Sequence, residues 1–301
     1  MSAARHLLGL DLGGTNLKAA IVDLDESGPR VVESRSMPTM AAQGPAAVVE
    51  RMVTLAREIV TSDPAIIAIG IGLPGIFDPA AGTIELFPNL PGPWQGQPMR
   101  DPIAAATGLP VTLINDARAF TLAEGTIGAA KGCRVVVGVT LGTGIGGGLL
   151  IDGKVHLGAF GRGGEIAHQV VIPDGPLCGC GNRGCVEALA RASVVAERAG
   201  KTTIEEVYEA GGLGDERCQA AIEEAAGHLG LALANLVTVL GPDCIVIGGG
   251  ISTGGEVVID PIRRAIRKRV TLLPIDRVKV VAAELGPIAG AVGAALAAHT
   301  N

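Results

Sequence analysis

Two glycine-bearing segments far apart in this chain read as copies of one another, and that duplication restricts the fold more than any other feature. Gly9-Leu10-Asp11-Leu12-Gly13-Gly14-Thr15 aligns with Gly138-Val139-Thr140-Leu141-Gly142-Thr143-Gly144. Downstream, Ile69-Gly70-Ile71-Gly72 aligns with Ile245-Val246-Ile247-Gly248. Each is an apolar run short enough for one buried strand, punctuated by glycine where the chain turns or packs closely. The second pair of landmarks lies farther apart than the first, so the second copy carries an insertion, and the segment from His168 to Glu187 falls inside it. The expected architecture is a duplicated α/β unit with a cleft between the copies. At 301 residues the chain can supply both cores, because single cores stop growing at about 250 to 300 residues.

Between the landmarks, strand and helix patterns alternate. Strands are expected over 7–12, 17–24 and 31–36, a helix over 46–60, and strands over 66–71 and 111–114. A helix then runs from Asn115-Asp116 toward Gly128. The second half repeats the pattern with strands over 135–141, 145–151 and 154–157, helices over 186–199 and 215–240, strands over 244–247 and 278–282, and a closing helix over 288–299. Aromatic residues make up only 2% of the chain, so the cores must be built from Ala, Val, Ile and Leu. A net charge of -6 gives no reason to expect nucleic acid. The basic run Arg263-Arg264-Ala265-Ile266-Arg267-Lys268-Arg269 has helical spacing and reads as a solvated helix face. The uncharged stretch from Val135 to Ile151 is broken by six glycines and reads as two strands and a turn, not a membrane span. The first residues, MSAARHLLGLDLGG, lack an apolar core followed by a small-residue cleavage site, which points to the cytoplasm.

Three of the six cysteines fall in Cys178-Gly179-Cys180-Gly181-Asn182-Arg183-Gly184-Cys185, with His168 before them and Glu187 after. Without an oxidising compartment, clustered cysteines favour a metal over disulfides. Three thiolates and one imidazole make a closed tetrahedral zinc site, which is structural because no position is left for substrate. Glycines at 179 and 181 are expected to let the backbone curl around the ion. Cys133, Cys218 and Cys244 are isolated and read as small core residues.

The glycine turns suggest phosphate chemistry, because a turn without side chains presents backbone N–H groups to an anion. Asp11, Gly13, Gly14 and Thr15 form one such turn, with an acid able to face magnesium through water. Gly142, Thr143 and Gly144 form the second. Gly248, Gly249 and Gly250 would admit an adenine and ribose, or merely let a helix pack. Neither a P-loop lysine nor a GxGxxG dinucleotide fingerprint is present. Asn115-Asp116 closes a buried strand, where α/β ligands bind. Asp116 caps the following helix or, beside two phosphate turns, serves as the base that takes a proton from an acceptor hydroxyl.

The chain resembles the ROK family of bacterial sugar kinases, within the actin-like ATPase and hexokinase superfamily. Asp11-Leu12-Gly13-Gly14-Thr15 resembles the family's first phosphate motif, and Gly72-Leu73-Pro74-Gly75 and Pro88-Asn89-Leu90-Pro91-Gly92 its sugar-side loops. Asn115-Asp116-Ala117 resembles the catalytic motif, Glu165-Ile166-Ala167-His168 the ExGH element, and Cys178 through Glu187 the CxCGxxGCxE signature. The resemblance implies two RNase H-like domains, over 1–120 and 121–301, with a zinc-binding loop over 165–187 and the closing helix 288–301 packed back on the first domain. It implies that Gly75, Asn89, Asn115, Asp116, Glu165, His168 and Glu187 contact a hexose, and that His168 joins Cys178, Cys180 and Cys185 on zinc. ATP with magnesium would phosphorylate the 6-hydroxyl of glucose, with N-acetylglucosamine, N-acetylmannosamine, mannose or fructose as other substrates. A homodimer or homotetramer is implied; a non-catalytic sugar sensor is the reading from another class. Two residues depart from the pattern: Ala167 replaces a glycine, which would strain a positive φ, and Arg118 stands where asparagine is common.

Overall fold

The structure, a computed structural model, describes residues 5–87, 90–250 and 254–299. The chain is α/β and divides into two compact units. The first unit contains β1 (His6–Leu12), β2 (Asn16–Asp25), β3 (Gly28–Pro38), α1 (Pro45–Ser62) and β4 (Ile66–Leu73). A small ribbon of β5 (Ile76–Asp78) and β6 (Thr83–Leu86) follows, then α2 (Arg100–Thr107), β7 (Val111–Asn115) and α3 (Asp116–Thr126). The second unit, Gly128 to Gly286, contains β8 (Val135–Leu141), β9 (Ile145–Ile151), β10 (Lys154–Val155), α4 (Val186–Ala190), α5 (Ala192–Ala199), α6 (Ile204–Gly212) and α7 (Glu216–Leu240). It ends with β11 (Cys244–Gly249), α8 (Glu256–Arg267) and β12 (Lys279–Ala282), after which α9 (Ala289–Ala297) returns to the first unit. A division at residue 120 would cut α3; the observed one falls after it, at Ile127.

The two main sheets have the same plan. Their strand orders are β3-β2-β1-β4-β7 and β10-β9-β8-β11-β12, each with antiparallel hairpins leading into parallel strands. Asp11 pairs with Gly72 in the first, and Thr140 with Gly248 in the second. Aligning Asp11 with Thr140 and Gly72 with Gly248 in sequence therefore reproduces one cross-strand register in both units.

The core of the first unit packs Leu8, Leu10, Ile69 and Ile71 against Val48, Met52 and Ile59 of α1. On the other face lies α9, whose residues AGAVGAALA are small enough for backbone contact. A Cβ on Gly9 would fall 1.8 Å from the Ala291 carbonyl oxygen, and one on Gly70 1.7 Å from that of Ala294. Glycine in these strands is thus a packing requirement set by a helix far away in sequence. In the second unit Val137, Val139, Ile245 and Ile247 pack against Leu229, Leu233 and Val237 of α7 and against Ile262 and Ile266 of α8.

Besides β5, β6 and α2, which lie outside the expected elements, several local differences stand out. The helix expected over 186–199 is broken at Arg191, whose ψ of 154° is extended. The third strand of the second half stops at Val155 rather than Leu157. Helix α6 lies outside the expected elements; its start is fixed by a capping box in which Thr203 and Glu206 satisfy each other's backbone N–H groups. The basic run behaves as a helix face: Arg263 pairs with Glu256 and Asp260, and Arg264 with Glu223.

Candidate functional site

In the first unit, three candidate elements share the carboxyl edge of the parallel strands. Asp11 is opposite Gly72, Gly72 is opposite Ile114, and Leu73 is opposite Asn115. The strand spacing places Asp11 and Asn115 about 10 Å apart along this edge. Asn115 is the N-cap of α3: its Oδ1 accepts from the N–H groups of Ala117 at 3.1 Å and Arg118 at 3.3 Å. Asp116 is the first helical residue, and its Oδ1 accepts from the Ala117 N–H at 2.8 Å. The capping role thus belongs first to Asn115, and Asp116, half-buried, stands at the helix start. Arg118 is buried at 6% exposure within α3. Gly75 follows β4 with φ of 75°, a conformation that a side chain disfavours. Asn89 lies outside the described residues.

The Asp11 carboxylate is enclosed by glycines. A Cβ on Gly290, in the first turn of α9, would fall 2.6 Å from Oδ2, and one on Gly72 would fall 3.3 Å from Oδ1. Burial pushes the pKa of Asp11 up to about 6, with Lys18, its cross-strand neighbour, opposing the shift. The residue keeps some contact with solvent, so the density of protein around the carboxylate, and not complete enclosure, sets the shift. The adjoining turn is held by the residue that follows β3: buried Thr39 donates its hydroxyl to the Gly13 carbonyl at 2.6 Å and its N–H to the Thr15 carbonyl at 2.8 Å. Gly14 and Thr15 are exposed at the tip.

In the second unit, the turn Gly142–Gly144 is closed by a bond from the Gly142 N–H to the Gly144 carbonyl at 3.0 Å. The third glycine group serves a neighbouring strand: Gly249 has φ of 85°, and a Cβ there would fall 2.3 Å from the Leu141 carbonyl oxygen. Close chain packing therefore accounts for Gly249, and Gly248 lies in the same strand β11. Gly250 precedes residues outside the description.

The cysteine loop brings four donors together. His168, Cys178, Cys180 and Cys185 each offer a ligand atom, and all four lie within 4.8 Å of one another. His168 Nδ1 is 3.6 Å from Cys178 Sγ, and Cys180 Sγ is 3.7 Å from Cys185 Sγ. Ligands around tetrahedral zinc are separated by roughly 3.5 to 3.8 Å, given bonds of about 2.0 and 2.3 Å. The donor set fits such an ion. Burial pushes the Cys185 thiol up to about 12 and raises Cys178, whereas the backbone N–H of Asn182 lowers Cys180. A bound cation would favour the ionised form of all three. Because Nδ1 faces the thiols, Nε2 is the nitrogen left for a second partner.

Of the two loop glycines expected to let the backbone curl, Gly181 does so and Gly179 is not needed for it. Gly179 has open space around it; the demanding positions are Gly181, with φ of 91°, and Gly184, where a Cβ would fall 1.6 Å from the Ile172 carbonyl oxygen. Ala167 carries no strain, since it lies in the helical turn Ile166–His168 and its methyl group is buried in the core. Gly164 has the positive φ, 89°, and Gly147 of β9 admits its carbonyl, which would lie 2.5 Å from a Cβ there. Glu165 is exposed beside this turn.

Glu187, in α4 two residues after Cys185, makes contacts that the sequence did not announce. Its Oε2 accepts the Ile145 N–H at 3.1 Å, and the Cys178 thiol lies 3.8 Å from Oε1. Thr39 and Gly290 were likewise silent in sequence, because their roles arise from contacts with distant residues.

Residues 7–301 match the sequence profile of the ROK family. The chain belongs to the ROK family. It is 34% identical to the glucokinase of Thermotoga maritima, with 96% of each chain covered. The fold matches that of ROK hexokinase from Thermus thermophilus with a TM-score of 0.83 and 35% identity, over 98% of each chain. It also matches a ROK family glucokinase from Streptomyces griseus, determined in complex with glucose and AMPPNP, with a TM-score of 0.82 and 32% identity, over 98% of this chain and 100% of that one. Among the described residues, no helix is long and apolar enough to cross a membrane.

Proposed function

We propose that this ROK protein is an ATP-dependent hexose kinase that phosphorylates the 6-hydroxyl of glucose. The observation that carries the reading is the row of Asp11, Gly72 and Asn115-Asp116 along one sheet edge, in a chain similar to glucokinases over nearly its whole length. Asp116 accepts the proton of the sugar hydroxyl as its oxygen bonds to the γ-phosphorus; the bond from that phosphorus to the bridging oxygen breaks, and ADP leaves. Asn115 fixes the start of α3 and thereby the Asp116 backbone. The turns at Gly13–Thr15 and Gly142–Gly144 hold the phosphates through backbone N–H groups. Magnesium, when bound with the nucleotide, neutralises charge on the transferring phosphoryl group, and Asp11 is the acid placed to hold its water shell.

Glu165, Glu187 and His168 Nε2 hold sugar hydroxyls, as do Asn89 and Asn115. His168, Cys178, Cys180 and Cys185 hold a structural zinc that fixes this loop, an insertion in the second domain. The cytoplasm, where thiols stay reduced, suits such a site. The decisive test is Asp116→Asn, assayed for ADP release and for glucose binding. A fall in kcat of about a thousandfold with glucose binding retained is expected; wild-type kcat in the variant would remove Asp116 as the base. ADP release by the wild type across a panel of hexoses separates a kinase from a sugar sensor.

A further inference from the structure

Glu187 occupies a position that a purely sugar-binding acid does not need. It follows the last cysteine of the metal loop by two residues, yet its carboxylate reaches the second glycine turn, where Oε2 accepts the N–H of buried Ile145 at 3.1 Å. Gly144 is shaped around it: a Cβ there would fall 2.8 Å from the same Oε2. The glycine at 144 is thus required to admit a protein carboxylate, whatever ligand the turn also meets. The same segment grips the turn's other end, because the Ala192 N–H donates to the Gly142 carbonyl at 3.2 Å. Behind Glu187, the Cys178 sulfur lies 3.8 Å from Oε1, and the Val186 N–H bonds to the Gln169 carbonyl at 3.1 Å, next to His168.

We infer that Glu187 is a positioning residue for the nucleotide: its carboxylate braces the turn Gly142–Gly144 from behind and links the shape of that turn to the metal loop. The inference rests on the reading that this turn holds nucleotide phosphate. The brace works as a hydrogen-bond acceptor and not as a charge. A negative carboxylate near phosphates is electrostatically unfavourable, so its value lies in holding the Ile145 N–H and the backbone beside it. An acceptor without charge at this position would brace the turn as well or better.

The test measures AMPPNP affinity by calorimetry in the presence of magnesium and without sugar, so that sugar contacts of Glu187 play no part. Glu187→Ala should weaken AMPPNP binding about tenfold. Glu187→Gln keeps an acceptor oxygen and should bind AMPPNP with wild-type or tighter affinity, while its glucose KM rises. Gly142→Val serves as the control for the turn itself and should weaken AMPPNP strongly. Unchanged affinity in Glu187→Ala, alongside weakened Gly142→Val, overturns the brace and leaves the phosphate turn standing. A Glu187→Gln protein as weak as Glu187→Ala also overturns it, and because the glutamine variant retains the shape of the side chain, this arm holds even if the alanine variant folds poorly. Wild-type affinity in Gly142→Val overturns the phosphate reading of the turn and the inference with it.

Discussion

The two glycine turns stand at equivalent points of two sheets with the same register, yet they are held by different chemistry. Four residues, Gly13 to Asn16, separate the Leu12–Leu17 pair in the first unit; three, Gly142 to Gly144, separate the Leu141–Ile145 pair in the second. The first turn is clamped by a neutral hydroxyl and a backbone N–H, both from Thr39, the residue that follows the adjacent strand. The second is clamped by a carboxylate and a backbone N–H from the segment that follows the cysteine loop. The acid has also changed place. In the first unit it lies on the strand, as Asp11, where a cation can approach it; its counterpart is Thr140, and the acid of the second unit lies behind the turn. The two sheets thus share their cross-strand register, while the turns differ in length and in the groups that hold them: Thr39 for the first, Glu187 and Ala192 for the second.

The strongest way to break this comparison is to neutralise Asp11. Asp11→Asn should lower kcat about a hundredfold or more, because it removes the acid proposed to face magnesium. The ligand-free protein should nevertheless become more stable at pH 8. The folded pKa of about 6 lies above the ordinary 3.8, so the folded state binds the proton more tightly than the unfolded chain. The cost of ionising Asp11 is therefore absent below about pH 4, grows as the pH rises to about 6, and is constant above. Removing it should gain up to about 3 kcal/mol at pH 8 and nothing at pH 3.5, read by denaturant titration at both pH values. A variant no more stable than wild type at pH 8 would refute the burial argument.

Metal removal should act on the second unit in preference to the first. With zinc stripped and its absence verified by elemental analysis, glucose KM should rise about tenfold, in line with the cost of disturbing a metal site's supporting groups. Glucose binding by calorimetry gives the same answer without turnover. An unchanged KM in zinc-free protein would detach the cysteine loop from the sugar.

The smallest effect is expected at the first clamp. Thr39→Val removes the hydroxyl bonded to the Gly13 carbonyl and keeps the shape of the side chain. A loss of about 1 kcal/mol in stability and a rise of a few-fold in the KM for ATP are expected, with Thr39→Ser near wild type. Equal behaviour of the valine and serine variants would show that the backbone bond from Thr39 suffices, and that the two turns differ less than their partners suggest.

The candidate site was legible where function depends on residues adjacent in sequence. The cysteine loop, the Asn115-Asp116 pair and both glycine turns could be named because each is a short run whose spacing carries the chemistry. What stayed hidden was set by approach between distant segments. Gly9 and Gly70 read as ordinary strand residues until α9 lay on them. Gly144 read as a phosphate glycine and Gly249 as room for an adenine and ribose or for helix packing; the structure adds that Gly144 admits the Glu187 carboxylate and Gly249 the backbone of Leu141. Ala167 looked strained because a family pattern suggested glycine, whereas the residue with the positive φ is Gly164. The break at Arg191 was invisible because the apolar spacing runs on through it.

The sequence by itself determined most of the alternation of strand and helix, the duplicated landmarks and their register, and which four side chains could meet as metal ligands, since these follow from periodicity and from spacing along the chain. Only the tertiary structure decided which groups press on one another: the enclosure that raises Asp11, the helix that demands glycine in two strands, and the carboxylate that braces the second turn. The reason is physical. Hydrophobic period and turn chemistry act over a few residues, whereas desolvation and close packing act over a few ångströms between segments that the sequence keeps far apart.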